Sequence, residues 1–148
     1  MNQITIRKSV RKDIKAQVPE LVARAKSWMS EKYPSVNFDN AAFIFSAGYK
    51  RSRYFRNNSS KNPKYSTPNV CICTRGMLML YNKRSLGINK THLFVGPETQ
   101  MMCALIHELT HHAQYEQDKR KGNELDTTRN ELEYLEKYRP DIYAEIIT

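Results

Sequence analysis

His107-Glu108-Leu109-Thr110-His111 sets two imidazoles and a carboxylate within little more than one helical turn. Residues four apart share a helix face, so His107 and His111 can aim ring nitrogens at one metal ion. Glu108 stands about 100° around the helix from His107. From there its carboxylate can reach a water beside the ion without being a ligand. It can take the proton as that water attacks a carbonyl, then pass it to the leaving amine. Zn2+ is the expected ion, because it polarises a carbonyl and acidifies water at neutral pH.

The surrounding residues supply a helix for this pentad. Gly96-Pro97-Glu98 opens it, with proline at the first helical position and a carboxylate in the first turn, and Gly122 closes it. Gln100, Cys103, Ala104 and Gln114 lie near the two histidines, whereas Met102, Leu105, Ile106, Leu109 and Ala113 face the other way. The helix is therefore expected to line a cleft with one face and a core with the other. His112, turned away from His111, is expected at the edge of that core.

A catalytic zinc site usually has three protein ligands. Cys103 is eight residues before His111, about 12 Å of helix rise, too far to share one ion with both histidines. The downstream carboxylates are Glu124, Asp126, Glu131, Glu133 and Glu136. Glu131 shares a face with Leu135 and Tyr138, and a carboxylate on a buried stripe needs a partner, which zinc would provide. A capping box between Thr128 and Glu131 is the competing explanation, with Glu131 bonded to the backbone of its own helix. His92 is the reserve ligand.

The elements that must hold these residues can be read in outline. Apolar residues recur at helical spacing from Ser9, a candidate N-cap, to Tyr33-Pro34, a candidate stop; Pro19 suggests a kink or a later start. Ala41–Phe45 reads as a strand. Tyr49–Asn69 is polar and turn-rich, a long loop or hairpin excursion. Val70–Thr74 and Met77–Tyr81 flank Arg75-Gly76 like the arms of a tight hairpin, and Thr91–Val95 is a further short strand. Everything after it reads as helix. One domain over residues 1–148 is expected, of α+β class. No apolar run approaches membrane-spanning length, no apolar stretch follows the N-terminal charges, and the three cysteines are an odd count, so a cytoplasmic protein is expected. Cys71 and Cys73 share a strand face and read as core.

The net charge of +9 is unevenly distributed, with eighteen Lys+Arg against four Asp+Glu up to Gly96 and six against eleven after it. Within the basic part, Lys50, Arg51, Arg53 and Arg56 alternate with aromatic residues, a pattern suited to single-stranded nucleic acid or another acidic partner.

His107–His111, followed twenty residues later by Glu131 with Asn130 before it, resembles the gluzincin metallopeptidases. The resemblance covers about residues 103–138. It implies a minimal zincin-like domain: an N-terminal helix, a small mixed or antiparallel sheet whose edge strand aligns the substrate backbone, the long motif helix, and a C-terminal helical segment carrying the third ligand. It also implies His107, His111 and Glu131 as zinc ligands, Glu108 as general base, and zinc-dependent hydrolysis of a protein or peptide substrate. This chain has no downstream histidine to stabilise an oxyanion, which leaves Tyr115, Tyr134 and Tyr138 as candidates. Two other functions compete with this one: a zinc amide hydrolase with a ligand from Cys71 or Cys73, and a basic nucleic-acid-binding or inhibitory adaptor whose motif is inert.

Overall fold

A computed structural model of the chain describes residues 2–57, 67–118 and 123–148. The first strand, β1 (Ile4–Ile6), leads into helix α1 (Lys12–Lys32), which returns the chain to β2 (Ala42–Ser46), parallel to β1. Val18, Leu21, Ala25 and Met29 repeat at helical spacing on α1 and are almost fully buried, so the helix turns one face into the common core. Pro19 is accommodated inside α1. Ser9 is not the N-cap: Arg11 holds that place, while the Ser9 hydroxyl accepts a hydrogen bond from the Ala47 N–H at 3.1 Å.

Strand β3 (Arg53–Asn57) lies within the stretch expected as a long loop or hairpin excursion and pairs antiparallel with β4 (Thr67–Cys73), which agrees with the hairpin. β4 inserts between its two neighbours, parallel to β2 and antiparallel to β3, which makes a mixed sheet of order β1-β2-β4-β3. Phe43 and Phe45 of β2 register with Val70 and Ile72 of β4, and all four belong to one core. Cys71 and Cys73 are free and buried on the same strand.

The expected hairpin across Arg75-Gly76 does not form. Both edges of β4 are already paired, so β5 (Met77–Met79) leaves the sheet and pairs antiparallel with β6 (His92–Phe94) instead. A short helix, α2 (Lys83–Leu86), connects them. Gly76 makes the departure feasible: its φ is +87°, and a Cβ there would stand 2.9 Å from the Phe94 ring and 3.1 Å from the Gly96 carbonyl carbon.

Helix α3 (Pro97–Asp118) crosses the sheet and α1, with Met101, Met102, Leu105, Ile106, Leu109 and Ala113 all buried. Helices α4 (Glu124–Tyr138) and α5 (Pro140–Ile147) complete the chain. The Asn123 side chain caps α4 by accepting from the Asp126 N–H at 3.0 Å. Thr128 therefore lies inside the helix, and the capping-box explanation of Glu131 fails. Gly122, the expected stop of α3, lies outside the described residues. The architecture is α+β, and no helix among the described residues is long and apolar enough to cross a membrane.

Gly76→Ala should lower stability by about 2 kcal/mol, since a left-handed residue gains a Cβ against backbone. Chemical denaturation of the two proteins measures this, and an unchanged midpoint would mean that the turn relaxes freely.

Candidate metal centre

Helix α3 carries the motif with its faces divided: Leu105, Ile106 and Leu109 enter the core, while Gln100, Ala104, His107 and Glu108 line a cavity of about 260 Å³; Cys103, expected on the cleft side, is buried in the core instead. The donor atoms of His107, Glu108 and His111 lie within 4.8 Å of one another. The two imidazole rings stand at 78° with centroids 5.0 Å apart.

Each imidazole is held by a partner on Nδ1. His107 Nδ1 meets Oε2 of Glu131 at 3.0 Å, and His111 Nδ1 meets Oε1 of Gln114 at 3.0 Å. The opposite nitrogens, both Nε2, converge on one carboxylate. Glu124 places Oε2 3.1 Å from His107 Nε2 and Oε1 3.0 Å from His111 Nε2. Gln114 also grips the start of α4, accepting from the Asn123 N–H at 3.2 Å and donating to the Asn123 carbonyl at 3.0 Å. Glu124 is thus tethered by the same side chain that orients His111.

Glu131, the expected third ligand, meets His107 at Nδ1. Its side chain is 2% exposed and lies on the Nδ1 side of His107, away from the nitrogen that faces His111. Glu124, at 42% exposure, stands on the Nε2 side. Asn130, beside Glu131, donates from Nδ2 to Thr110 Oγ1 at 2.9 Å and to the Tyr33 hydroxyl at 3.0 Å, which ties α4 to α3 and α1.

Charge follows this arrangement. Burial acts to lower the His107 pKa, but the Glu131 and Glu124 carboxylates outweigh it and raise it to about 11. The two imidazoles hold the Glu124 carboxyl well below the usual range, against the opposing effect of its burial. Burial pushes Glu131 up and raises Glu108 to about 7, with the histidines opposing in each case.

The remaining sequence candidates separate. Tyr134 and Tyr138 line a second cavity with Trp28, and the Tyr134 hydroxyl accepts from Arg24. Tyr115 lies under the Arg56 guanidinium, 4.1 Å from its ring centre. The tyrosine at the first cavity is Tyr81, whose ring centroid lies 5.6 Å from that of His107. Nothing in helical periodicity could have chosen it, because it follows a strand. His92 is exposed on β6, opposite Met79 and outside the cavity lining. Cys73 reaches that lining and Cys71 does not. The basic stretch divides: Lys50 and Arg51 line the cavity, Arg53 stacks on Phe55, and Arg56 pairs with Glu116 at 3.0 Å. His112 is fully buried, with Nδ1 2.8 Å from the Tyr54 hydroxyl and Nε2 2.8 Å from the Asn37 carbonyl.

With a zinc ion on the Nε2 atoms and Glu124, Glu124→Gln should weaken zinc binding more than Glu131→Gln does. Loss of an orienting partner such as Glu131 costs about 10–100-fold in affinity. Competition against a chromophoric chelator ranks the two variants, and the reverse order would return Glu131 to the donor set. No protein-family model, no curated protein and no solved structure matches this chain.

Proposed function

We propose that the chain is a zinc-dependent peptidase of gluzincin type, with His107, His111 and Glu124 as the metal-holding residues and Glu108 as the general base. One observation carries this reading: two Nε2 atoms, with their Nδ1 partners already committed, face a single tethered carboxylate beside a buried glutamate in a cavity. Imidazole, imidazole and carboxylate form a donor set suited to zinc with one coordination position left open. Bound there, zinc would supply Lewis acidity to a scissile carbonyl and to water.

The chain's own residues support the rest. The Glu108 carboxylate stands beside the two histidines, where it can accept a proton from water and give it to a leaving amine. Glu131 holds the His107 ring through Nδ1, which keeps Nε2 turned to the donor side. Tyr81, at the cavity wall, is the candidate to steady an oxyanion. In β5 the Gly76 carbonyl accepts from Val95 and the Leu80 N–H donates to Thr91, both towards β6. Alternation then directs the peptide groups of Met77 and Met79 to the opposite edge, at the cavity that both residues line. An extended peptide added to that edge would bring its backbone past Glu108. The parallel β1-β2-β4 sheet, with β3 antiparallel at its edge and the motif helix packed across it, suits a zincin-like domain.

Glu108→Gln should retain zinc yet hydrolyse peptides about 10²–10⁴-fold more slowly, the usual contribution of a general base. Zinc content and turnover of a fluorogenic peptide mixture, measured on the same preparations, test this; unchanged turnover would remove Glu108 from the chemistry.

Zinc binding should also release protons, because His107 is protonated at neutral pH when no metal is bound. Its pKa of about 11 means that zinc must displace that proton throughout pH 6–9, so apparent affinity rises with pH. Calorimetry in buffers of different ionisation enthalpy counts the protons, and a count of zero at pH 7 would contradict the arrangement.

A further inference from the structure

The wall of the cavity facing the two helices is cationic. Lys50 and Arg51 come from the segment before β3, and Arg75 comes from the turn after β4. These are separate pieces of chain that converge on the cavity containing His107 and Glu108. Exposed lysines and arginines are usually just solvated, so convergence alone decides little. Two further observations bear on their availability to a ligand: the first sets Arg75 apart from ordinary surface cations, and the second leaves all three charges uncommitted.

The first is that Arg75 is held in place. Its Nε donates to the Ala47 carbonyl at 2.6 Å. The turn beneath it is bolted to the motif helix by buried Gln100, which donates to the Cys73 carbonyl at 2.7 Å and accepts from the Gly76 N–H at 3.1 Å. Gln100 is seven residues before His107 on the same helix, so the turn carrying Arg75 and the catalytic face move as one body. The second is that the three cations pair with no carboxylate among the described residues. Across the fold, Arg24 meets Glu98, Arg56 meets Glu116 and Lys90 meets Glu145. The carboxylates that do line this cavity, Glu108 and Glu131, belong to the opposite wall, and Glu131 is already bonded to His107.

Resting on the peptidase reading above, we propose that Lys50, Arg51 and Arg75 form a carboxylate-recognition site that makes the cleft selective for acidic peptides. A peptide paired with the free edge of β5 runs alongside Met77 and Met79, which places its backbone beside Arg75 at the strand's start. A carboxylate from an Asp or Glu side chain, or from the peptide's own C-terminus, is the complement of that wall. Selectivity here comes from charge complementarity at a partly solvated site, so it weakens as salt rises.

The test uses the Glu108→Gln chain with zinc supplied, so that binding is read without turnover. Fluorescein-labelled heptapeptides of three kinds are compared by anisotropy: glutamate-rich with an amidated C-terminus, glutamine-rich with an amidated C-terminus, and glutamine-rich with a free carboxylate. The first should bind about tenfold tighter than the second, the scale expected when a few partly exposed ion pairs add. Tight binding of the third as well assigns the site to a C-terminal carboxylate; tight binding of the first alone assigns it to side chains. Lys50→Gln/Arg51→Gln/Arg75→Gln should erase the preference, and Arg75→Gln alone should erase much of it if the triple variant folds poorly. Equal binding of all three peptides overturns the proposal, as does a preference that survives these substitutions. Tighter binding of a single-stranded oligonucleotide of equal charge also overturns it, making the wall a nucleic-acid surface. A retained preference in a chain that, with Glu108 intact, cleaves nothing would sink the peptidase reading and leave the recognition site standing. Cleavage of a peptide mixture without enrichment of acidic residues would do the opposite.

Discussion

A carboxylate shut between two helices has to find a partner, and the site is arranged around the way Glu131 finds one. Its side chain is 2% exposed, and an unpaired charge at that depth costs several kcal/mol. His107 answers from the facing helix through Nδ1. That one bond fixes the angle of the imidazole ring, commits Nδ1, and leaves Nε2 as the nitrogen that looks out. It also sets the register of α4 against α3, because Asn130 must then fall against Thr110 and Tyr33. Helix packing and the orientation of the His107 ring are thus two consequences of a single buried contact. A change that loosens α4 disturbs the histidine before it disturbs the core.

Gln114 repeats the logic one turn further along. It holds the second histidine and, with its other atoms, the backbone just ahead of Glu124. The two orienting residues differ in charge because their surroundings differ. Glu131 sits in the core, where a full charge on its partner is useful; Gln114 is half-exposed, where a neutral amide suffices. The pair of imidazoles grips Glu124, and three groups that would otherwise repel or stand unpaired satisfy one another.

The motif helix was legible because it is long and its two faces differ cleanly. The burial of Glu131 was legible for the same reason: helical periodicity reports burial, and Glu131 is buried against His107. Glu124 was not singled out, because at 42% exposure it gives no such signal, although the Nε2 atoms of both histidines meet it. Asn123-Glu124 spelled the same dipeptide as Asn130-Glu131 and stood nearer the motif, but nothing in its spacing distinguished it. The β4–β5 hairpin misled for a different reason. Arg75-Gly76 is a genuine turn with a left-handed glycine, yet a turn signal is local, and whether the next strand pairs backwards depends on edges that β2 and β3 had already taken. Polar composition left Tyr49–Asn69 open between loop and hairpin, because β3 forms the sheet's edge and carries no apolar run.

The charge asymmetry along the chain becomes, in the fold, an asymmetry across one cavity. The basic first part supplies Lys50, Arg51 and Arg75 to one wall, and the acidic last part supplies Glu131, with Glu124 gripping the histidines at the same helix pair. This separation follows from the topology. All six strands are built before residue 97, the motif helix and α4 after it, and the cavity is lined from both parts. Carboxylates and cations placed on the same wall would neutralise one another. Carried on separate elements that Gln100 holds in register, each keeps its charge.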